Sequence, residues 1–510
     1  MKMTKLRFLF AISVAWGSLI FWLAPHPPMI DLPQHAGQVA LLRDIVLGQS
    51  PWADLFRINV FTPYLIGYGL ALPLSFIMPV ATVLKLMLSL AYLAFVAMSV
   101  TLRKHFGADE RLDWLFLTAF FGFCYQWGFF TFMVAAPVGM LFILISDRYA
   151  RDQTIPRALA TLAVGSVLLI SHGLVFVLAL MIGFTLLLVR TRDLRLFIVK
   201  SWPLVILVLM CGIYYLISQQ HNVGMRLSNG TIWAYGSFNF FGAGKLVKGL
   251  LYTMVMDLKT IRGVYLVVQI STILALVACP WLLGLRADCK NTSSWIPLGV
   301  VLFIFTFAPS EAFSTSYVYE RFSLFFFPAY AWIFTRTTES GANLKDRSKF
   351  VMPVLILCCW ANLSLIAVDS WNFGKETAAI DQIFSSLKPG SRAITLMFDP
   401  SSAAVNEAKM YLHYPVWYQA EHGGLVDFNF AWFSPQIARY KLDRAPEAGP
   451  GFEWRPETFS WVKFRGQDYR YFFIRHSKPI PDNFFSGARC NPKLVAETGN
   501  WTVLENVPCE

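Results

Sequence analysis

"MKMTKLRFLFAISVAWGSLIFWLAP", residues 1–25, sets Lys2, Lys5 and Arg7 ahead of a long apolar run. A basic start and an apolar middle resemble a signal peptide. No small-x-small cleavage site follows cleanly, and the apolar core is long. The stretch therefore predicts an uncleaved first span over residues 7–24, with its N-terminus in the cytoplasm. Similar runs recur along the chain, at 62–78, 80–100, 112–124, 127–146, 158–176, 177–190, 202–218, 263–284, 292–309, 320–335 and 349–367. Of 510 residues, 56% are hydrophobic and only 15% charged, with 45 Phe and a mean hydropathy of +0.51. A soluble domain carries about 25% charged residues. The expected fold is a multi-pass α-helical membrane protein of about eleven to thirteen spans.

The net charge of +12 does not point to nucleic acid. Most of it sits in short loops at 147–157, 190–200, 286–290 and 336–349, where Lys and Arg set topology. Placing these loops in the cytoplasm gives a consistent path from residue 112 onward. The early chain resists, because full passes at both 62–78 and 80–100 would put "TLRKHFGADERLD" outside. Pro63, Gly67, Gly69, Pro73 and Pro79 favour a half-crossing or interfacial segment at 62–78 instead.

Three sizeable pieces are then expected outside the cytoplasm: 25–60, 219–262 and everything after about 368. The chain divides into a membrane domain, 1–367, and an extracytoplasmic α/β domain, 368–510. "NFGKETAAIDQIFSSLKPGSRAITLMF" reads as a helix, a Pro-Gly turn and a strand. "EWRPETFSWVKFRG" and "DYRYFFIRH" read as further aromatic strands. Cys124, Cys211, Cys279, Cys358 and Cys359 lie in apolar runs and read as packing residues, while Cys289 sits in a short basic loop. Cys490 and Cys509 share the polar tail and would suit a disulfide in an oxidising compartment.

The first loop carries the most informative polar groups, in "HPPMIDLPQHAGQVALLRDI", residues 26–45. Asp31 sits just beyond the first span, followed by a helix pattern beginning near Pro33. His35 and Gln38 share one face, and Val39 and Leu42 supply an apolar side suited to the membrane. Asp31 reads either as a reactive carboxylate at the lipid–water boundary, with His35 beside it, or as a helix cap. Asp44 is a weaker second carboxylate. His172, in "SHGL", is as well explained by structure as by function. Glu320 and Arg321 open an apolar run, where Arg321 suits a phosphate and Glu320 would steady it or bind a hydroxyl. Interfacial snorkelling explains the pair equally. Arg226, Lys245, Lys248, Lys259 and Arg262 face one acid, Asp257, and suit an anionic headgroup or an anionic lipid surface. Tyr125, Gln126 and Trp127 form an outer turn, explained either by a cavity or by an aromatic belt. Glu421, His422 and Asp427 lie in an aromatic tail loop that would select a sugar or simply pack.

This layout resembles the GT-C superfamily of membrane glycosyltransferases that use polyprenyl-phosphate-linked sugars, and is most similar to its bacterial branch. There, a cytoplasmic N-terminus and one span lead to an outer loop carrying an acid, the place "MIDLPQHAGQVALLRDI" occupies here. The resemblance covers 1–368 by layout and is specific only around 26–45. No "WWDYG"-like sequence and no paired acids of the protein mannosyltransferase kind are evident. The resemblance implies transfer of a sugar from a polyprenyl-phosphate donor to a lipid, glycan or protein acceptor at the outer face of a bacterial inner membrane. Asp31 would be the general base, His35 would orient it, and Arg321, Lys245 and Lys248 would hold the phosphate. The resemblance fixes no cofactor, and a divalent metal, Mg or Mn, stays open. Asp31, His35 and Asp44 are the hard-ligand set that would suit Mg or Mn. Two other classes stay open: a polyprenyl-lipid or polysaccharide transporter or flippase, and a non-catalytic envelope assembly component. A transporter wants ionisable groups at mid-membrane depth, where Lys85 is the main example.

Overall fold

A computed structural model describes residues 3–220, 243–253, 263–312, 315–336, 341–405, 407–481 and 483–507. Among these, six helices are long and apolar enough to cross a membrane: Lys5–Trp22, Val80–Phe106, Phe130–Arg151, Gly173–Thr191, Val264–Leu282 and Lys349–Ser386. Leu194–Lys200 and Trp202–Ser218, bent by 57°, make a seventh if counted as one span. The protein is a multi-pass helical membrane protein. Leu65–Ser75, Ile155–Leu169 and Thr292–Phe307 are shorter apolar helices.

Two expected spans are not continuous helices. Residues 112–124 fall into a 3₁₀ turn at Glu110–Trp114 and the short helices Leu115–Ala119 and Phe123–Trp127. Gly122 and the left-handed Gly128 (φ 89°) punctuate this run. Residues 320–335 form a 3₁₀ turn, the nine-residue helix Ser323–Ala331 and a strand at Phe334–Thr335. Both runs are almost wholly buried in protein. An apolar segment in a protein core and one in lipid have the same composition, so hydropathy overcounts spans here.

Contacts divide the chain into two units, one holding residues 1–21, 87–221 and 225–368, the other 22–86, 222–224 and 369–510. In the first, the basic segments gather at one end. Arg7 donates Nε and Nη2 to Glu110 Oε2 (3.1 and 2.8 Å), and Arg103 binds Asp113 at 2.9 and 3.0 Å. Asp109 accepts from both Arg111 and Arg336. The buried Asp147 takes His105 Nε2 and Arg151 Nε, each at 2.7 Å, and Asn291 Nδ2 donates to Phe106 O at 3.0 Å. Residues 101–113 therefore lie at the same end as Arg7 and the other basic loops. Lys5–Trp22 and Val80–Phe106 make an out-and-back pair, and a third crossing by Leu65–Ser75 would part Arg7 from Glu110. That helix has eleven residues, about 16 Å, against a hydrocarbon core of about 30 Å.

The second unit combines the first loop with the tail. Its mixed five-stranded sheet runs in the order Lys493–Thr498, Trp501–Glu505, Tyr471–Arg475, Arg392–Met397, Leu425–Val426. The first two pairings are antiparallel and the last two parallel. The helix–turn–strand expected at 372–398 is present, with its helix the final part of the 46-residue Gly341–Ser386. "EWRPETFSWVKFRG" is not a strand but a pair of 3₁₀ turns, Phe452–Trp454 and Pro456–Thr458. Its aromatics serve as core instead, Phe459, Trp461 and Phe464 packing with Ile394, Leu396 and Phe472.

Candidate active site

Pro33 in the first turn starts the helix Leu32–Val46, and Asp31 occupies its N-cap position without making a side-chain cap hydrogen bond. Every residue from Leu32 to Leu42 is buried. Val39 and Leu42, expected against lipid, are covered by protein, because the tail folds over this helix. The seam is polar and specific. Gln34 Oε1 accepts from Phe430 N at 2.9 Å, and Gln38 Oε1 from Ala438 N at 3.0 Å. Gly37 allows the close approach, since a Cβ there would lie 2.7 Å from Val416 Cγ1 and 3.1 Å from Gln419 Nε2 on the tail helix Val416–His422. Gly37→Ala is expected to cost about 1–3 kcal/mol by overpacking, read as a lower melting temperature of the purified protein. An unchanged melting temperature would mean that Val416 yields freely.

Asp31, 7% exposed, lies with its Oδ1 3.4 Å from Nε2 of His413, a tail residue. Burial pulls the His413 imidazole down to about 3, so this is a carboxylate beside a neutral ring, not an ion pair. His35, one turn on, hydrogen-bonds through Nδ1 to Tyr68 Oη at 2.7 Å. The Tyr68 hydroxyl donates to Gln436 Oε1 at 2.5 Å, so it accepts from His35 Nδ1–H. A neutral His35 then carries its lone pair on Nε2. Asp31 thus begins a wall of buried, hydrogen-bonded polar groups from three segments.

A cationic pair belongs to the same unit. Strand Phe56–Ile58 pairs antiparallel with Ala438–Tyr440, Arg57 directly opposite Arg439, and Phe56 stacks on Tyr440 at 4.6 Å. Residues directly opposite share a face of the ribbon, so the two arginines leave the backbone on the same side. Arg439 is 6% exposed and Arg57 half-buried. Like charges placed opposite each other weaken a ribbon, and the arrangement suits an oxyanion, which guanidinium matches in geometry. No protein-family model matches this chain, and no curated protein matches it at a significant level. The site stands on its geometry.

Sequence reasoning overlooked His413, Tyr68, Arg57 and Arg439. The arginines carried a faint signal, as the single charges inside "LFRIN" and "IARY"; the other two carried none. Asp44 does not share a metal with Asp31 and His35. It sits near the far end of Leu32–Val46, about 20 Å from Asp31 along the helix, and takes Arg43 Nε at 2.8 Å. Among the described residues no group of three His, Cys, Asp or Glu is placed to hold a metal.

His422 stacks on Tyr418, and with Glu421 it belongs to a second cluster around His26 rather than to Asp31. Asp427 is fully buried and gripped by Arg392 at 2.7 and 2.8 Å and by Tyr469, a packing role. Cys490 is disulfide-bonded, while Cys509 lies outside the described residues. The other six cysteines are free.

The remaining candidates are in the first unit. Arg321 donates to Ser316 O (2.9 Å) and Tyr317 O (3.1 Å) and lies 3.6 Å over the Phe129 ring. Glu320 is buried and accepts from the Ser310 hydroxyl. Lys245 donates to Ala308 O at 3.4 Å and sits over Tyr319; Lys248 is exposed on the helix Ala243–Leu251. His172 caps the helix Gly173–Thr191 by accepting from Leu174 N at 3.2 Å. Tyr125 packs edge-on to Phe21 and Phe121, and Gln126 is half-buried. Arg226, Asp257, Lys259 and Arg262 lie outside the described residues.

Proposed function

We propose that the protein is a GT-C-like glycosyltransferase acting at the outer face of a bacterial cytoplasmic membrane, with Asp31 as general base. The observation that carries this reading is the buried carboxyl of Asp31, 3.4 Å from a neutral His413, in the same unit as two arginines paired across one ribbon. The end that gathers Arg7 and the basic loops is the cytoplasmic one in this reading. The first loop and the tail then lie outside, an oxidising setting that agrees with a disulfide at Cys490.

The donor is a sugar on polyprenyl phosphate. An acceptor hydroxyl attacks the anomeric carbon, the glycosidic C–O bond to phosphate breaks, and the phosphate leaves with the bonding pair. Asp31 takes the hydroxyl proton, and the configuration inverts. Arg57 and Arg439 hold the phosphate and offset its growing charge. They replace Arg321 as the first choice for this role because they lie in the same unit as Asp31. Leu65–Ser75 supports a lipid-borne substrate: Tyr68 on its buried side meets His35, while Leu70, and Phe76 and Ile77 just beyond, are exposed. The acceptor is a lipid, glycan or protein.

The test is the full-length protein in vesicles with undecaprenyl-phosphate-linked sugars, reading release of undecaprenyl phosphate. Arg439→Gln is expected to raise the donor KM about tenfold or more, the loss of one charge-assisted contact. Movement of intact donor lipid across the bilayer with no cleavage would favour the transporter reading instead.

A further inference from the structure

A pocket in the first unit has no role in the reading given so far. It encloses about 350 Å³ between the start of Lys5–Trp22 and the end of Val80–Phe106. Leu6, Phe10, Val100 and Trp114 give it an apolar wall. Arg7, Arg103 and Lys104 line the rest, with Glu110 and Asp113. Three cations meet two carboxylates, so the lining carries a net positive charge. The cations differ in how firmly they are engaged. Arg103 is 8% exposed and held by both oxygens of Asp113. Arg7 uses Nε and Nη2 on Glu110, but its side chain is 72% exposed, and Lys104 is exposed. Both therefore keep donors toward solvent.

The pocket lies where two membrane-crossing helices end, at the boundary between hydrocarbon and headgroups. A soluble anion has no use for the apolar wall, and a neutral lipid has no use for the excess charge. We propose that this pocket binds the headgroup of an anionic glycerophospholipid from the leaflet on the Arg7 side. Its phosphate would meet Arg7 and Lys104, and its glycerol and upper acyl carbons the Phe10–Trp114 wall. Arg103 and Asp113 would form the fixed floor.

Native mass spectrometry of the full chain, released from detergent with added dioleoyl-phosphatidylglycerol or dioleoyl-phosphatidylcholine, tests this directly. The phosphatidylglycerol adduct is expected to survive at least fivefold better. Lys104→Gln, at an exposed position that folding does not depend on, is expected to cut that preference about threefold. Arg7→Gln combined with Lys104→Gln is expected to bring the two lipids level. Equal retention of both lipids by the wild type would overturn the proposal, as would an undiminished preference in the Lys104→Gln protein. Displacement of the phosphatidylglycerol by millimolar inorganic phosphate would also overturn it, revealing a bare anion site.

Discussion

Asp31→Asn is expected to lower turnover of a polyprenyl-phosphate sugar about a thousandfold, within the range that a positioned general base supplies. The substitution keeps the side chain's shape and its contact with His413 but removes the proton acceptor. His413 cannot substitute, because burial holds its pKa near 3 and makes it a poor base at neutral pH. His35 holds Tyr68 through Nδ1, which fixes its ring, so any turnover left in Asp31→Asn is expected to run through the His35 Nε2 lone pair. KM for the donor should change little, since the proposed phosphate contacts are those of Arg57 and Arg439. Single-turnover measurement of polyprenyl phosphate release, with the melting temperature as a folding control, separates these effects. A variant that folds and turns over at the wild-type rate would remove Asp31 from the mechanism.

Stability of the second unit is expected to fall between about pH 6.5 and pH 9, and His26 is the cause. His26 follows the first span, and its ring stacks on Trp417 at 4.1 Å. Nε2 meets Glu421 Oε1 at 3.0 Å; Nδ1 meets Asp381 Oδ2 at 3.2 Å and Tyr414 Oη at 3.1 Å. Tyr414 in turn donates to Asp381 Oδ1 at 2.7 Å, and Lys85 and His422 act on Glu421 from nearby. Burial alone would lower the His26 pKa, but hydrogen bonds to Asp381 and Glu421 outweigh it and raise it to about 9. The folded value lies above the unfolded one, so the stabilisation is complete below about pH 6.5 and lost as pH rises through 9. The shift corresponds to about 3 kcal/mol. Thermal unfolding of the wild type followed from pH 6 to 10 should show this loss. His26→Gln should be less stable at pH 6 and should lack the slope. Parallel pH curves for the two proteins would assign the slope to other groups.

Much of the membrane region was legible in sequence because lipid imposes a coarse rule. Length and apolarity alone mark a helix such as Phe130–Arg151 or Gly173–Thr191. The same rule misled at 112–124 and 320–335, where aromatic runs fill a protein core. The Pro and Gly content of 62–78 favoured a half-crossing, and the helix there is only eleven residues long. In the tail, "SSLKPGSRAITLMF" announced its turn and strand through Pro-Gly chemistry. "FSWVKF" looked like a strand only because aromatic residues favour both strands and cores.

The sequence by itself determined that this protein lives in a membrane and that Asp31 and His35 lie one helical turn apart just after the first span. These are local properties, read from composition and spacing within a few turns. Only the tertiary structure decided what surrounds Asp31. His413 stands hundreds of positions away, and Asp44, thirteen positions on, is too far to join it. The pairing depends on Gly37 and on glutamine side chains bonding to tail backbone, long-range contacts that leave no periodic trace in the chain.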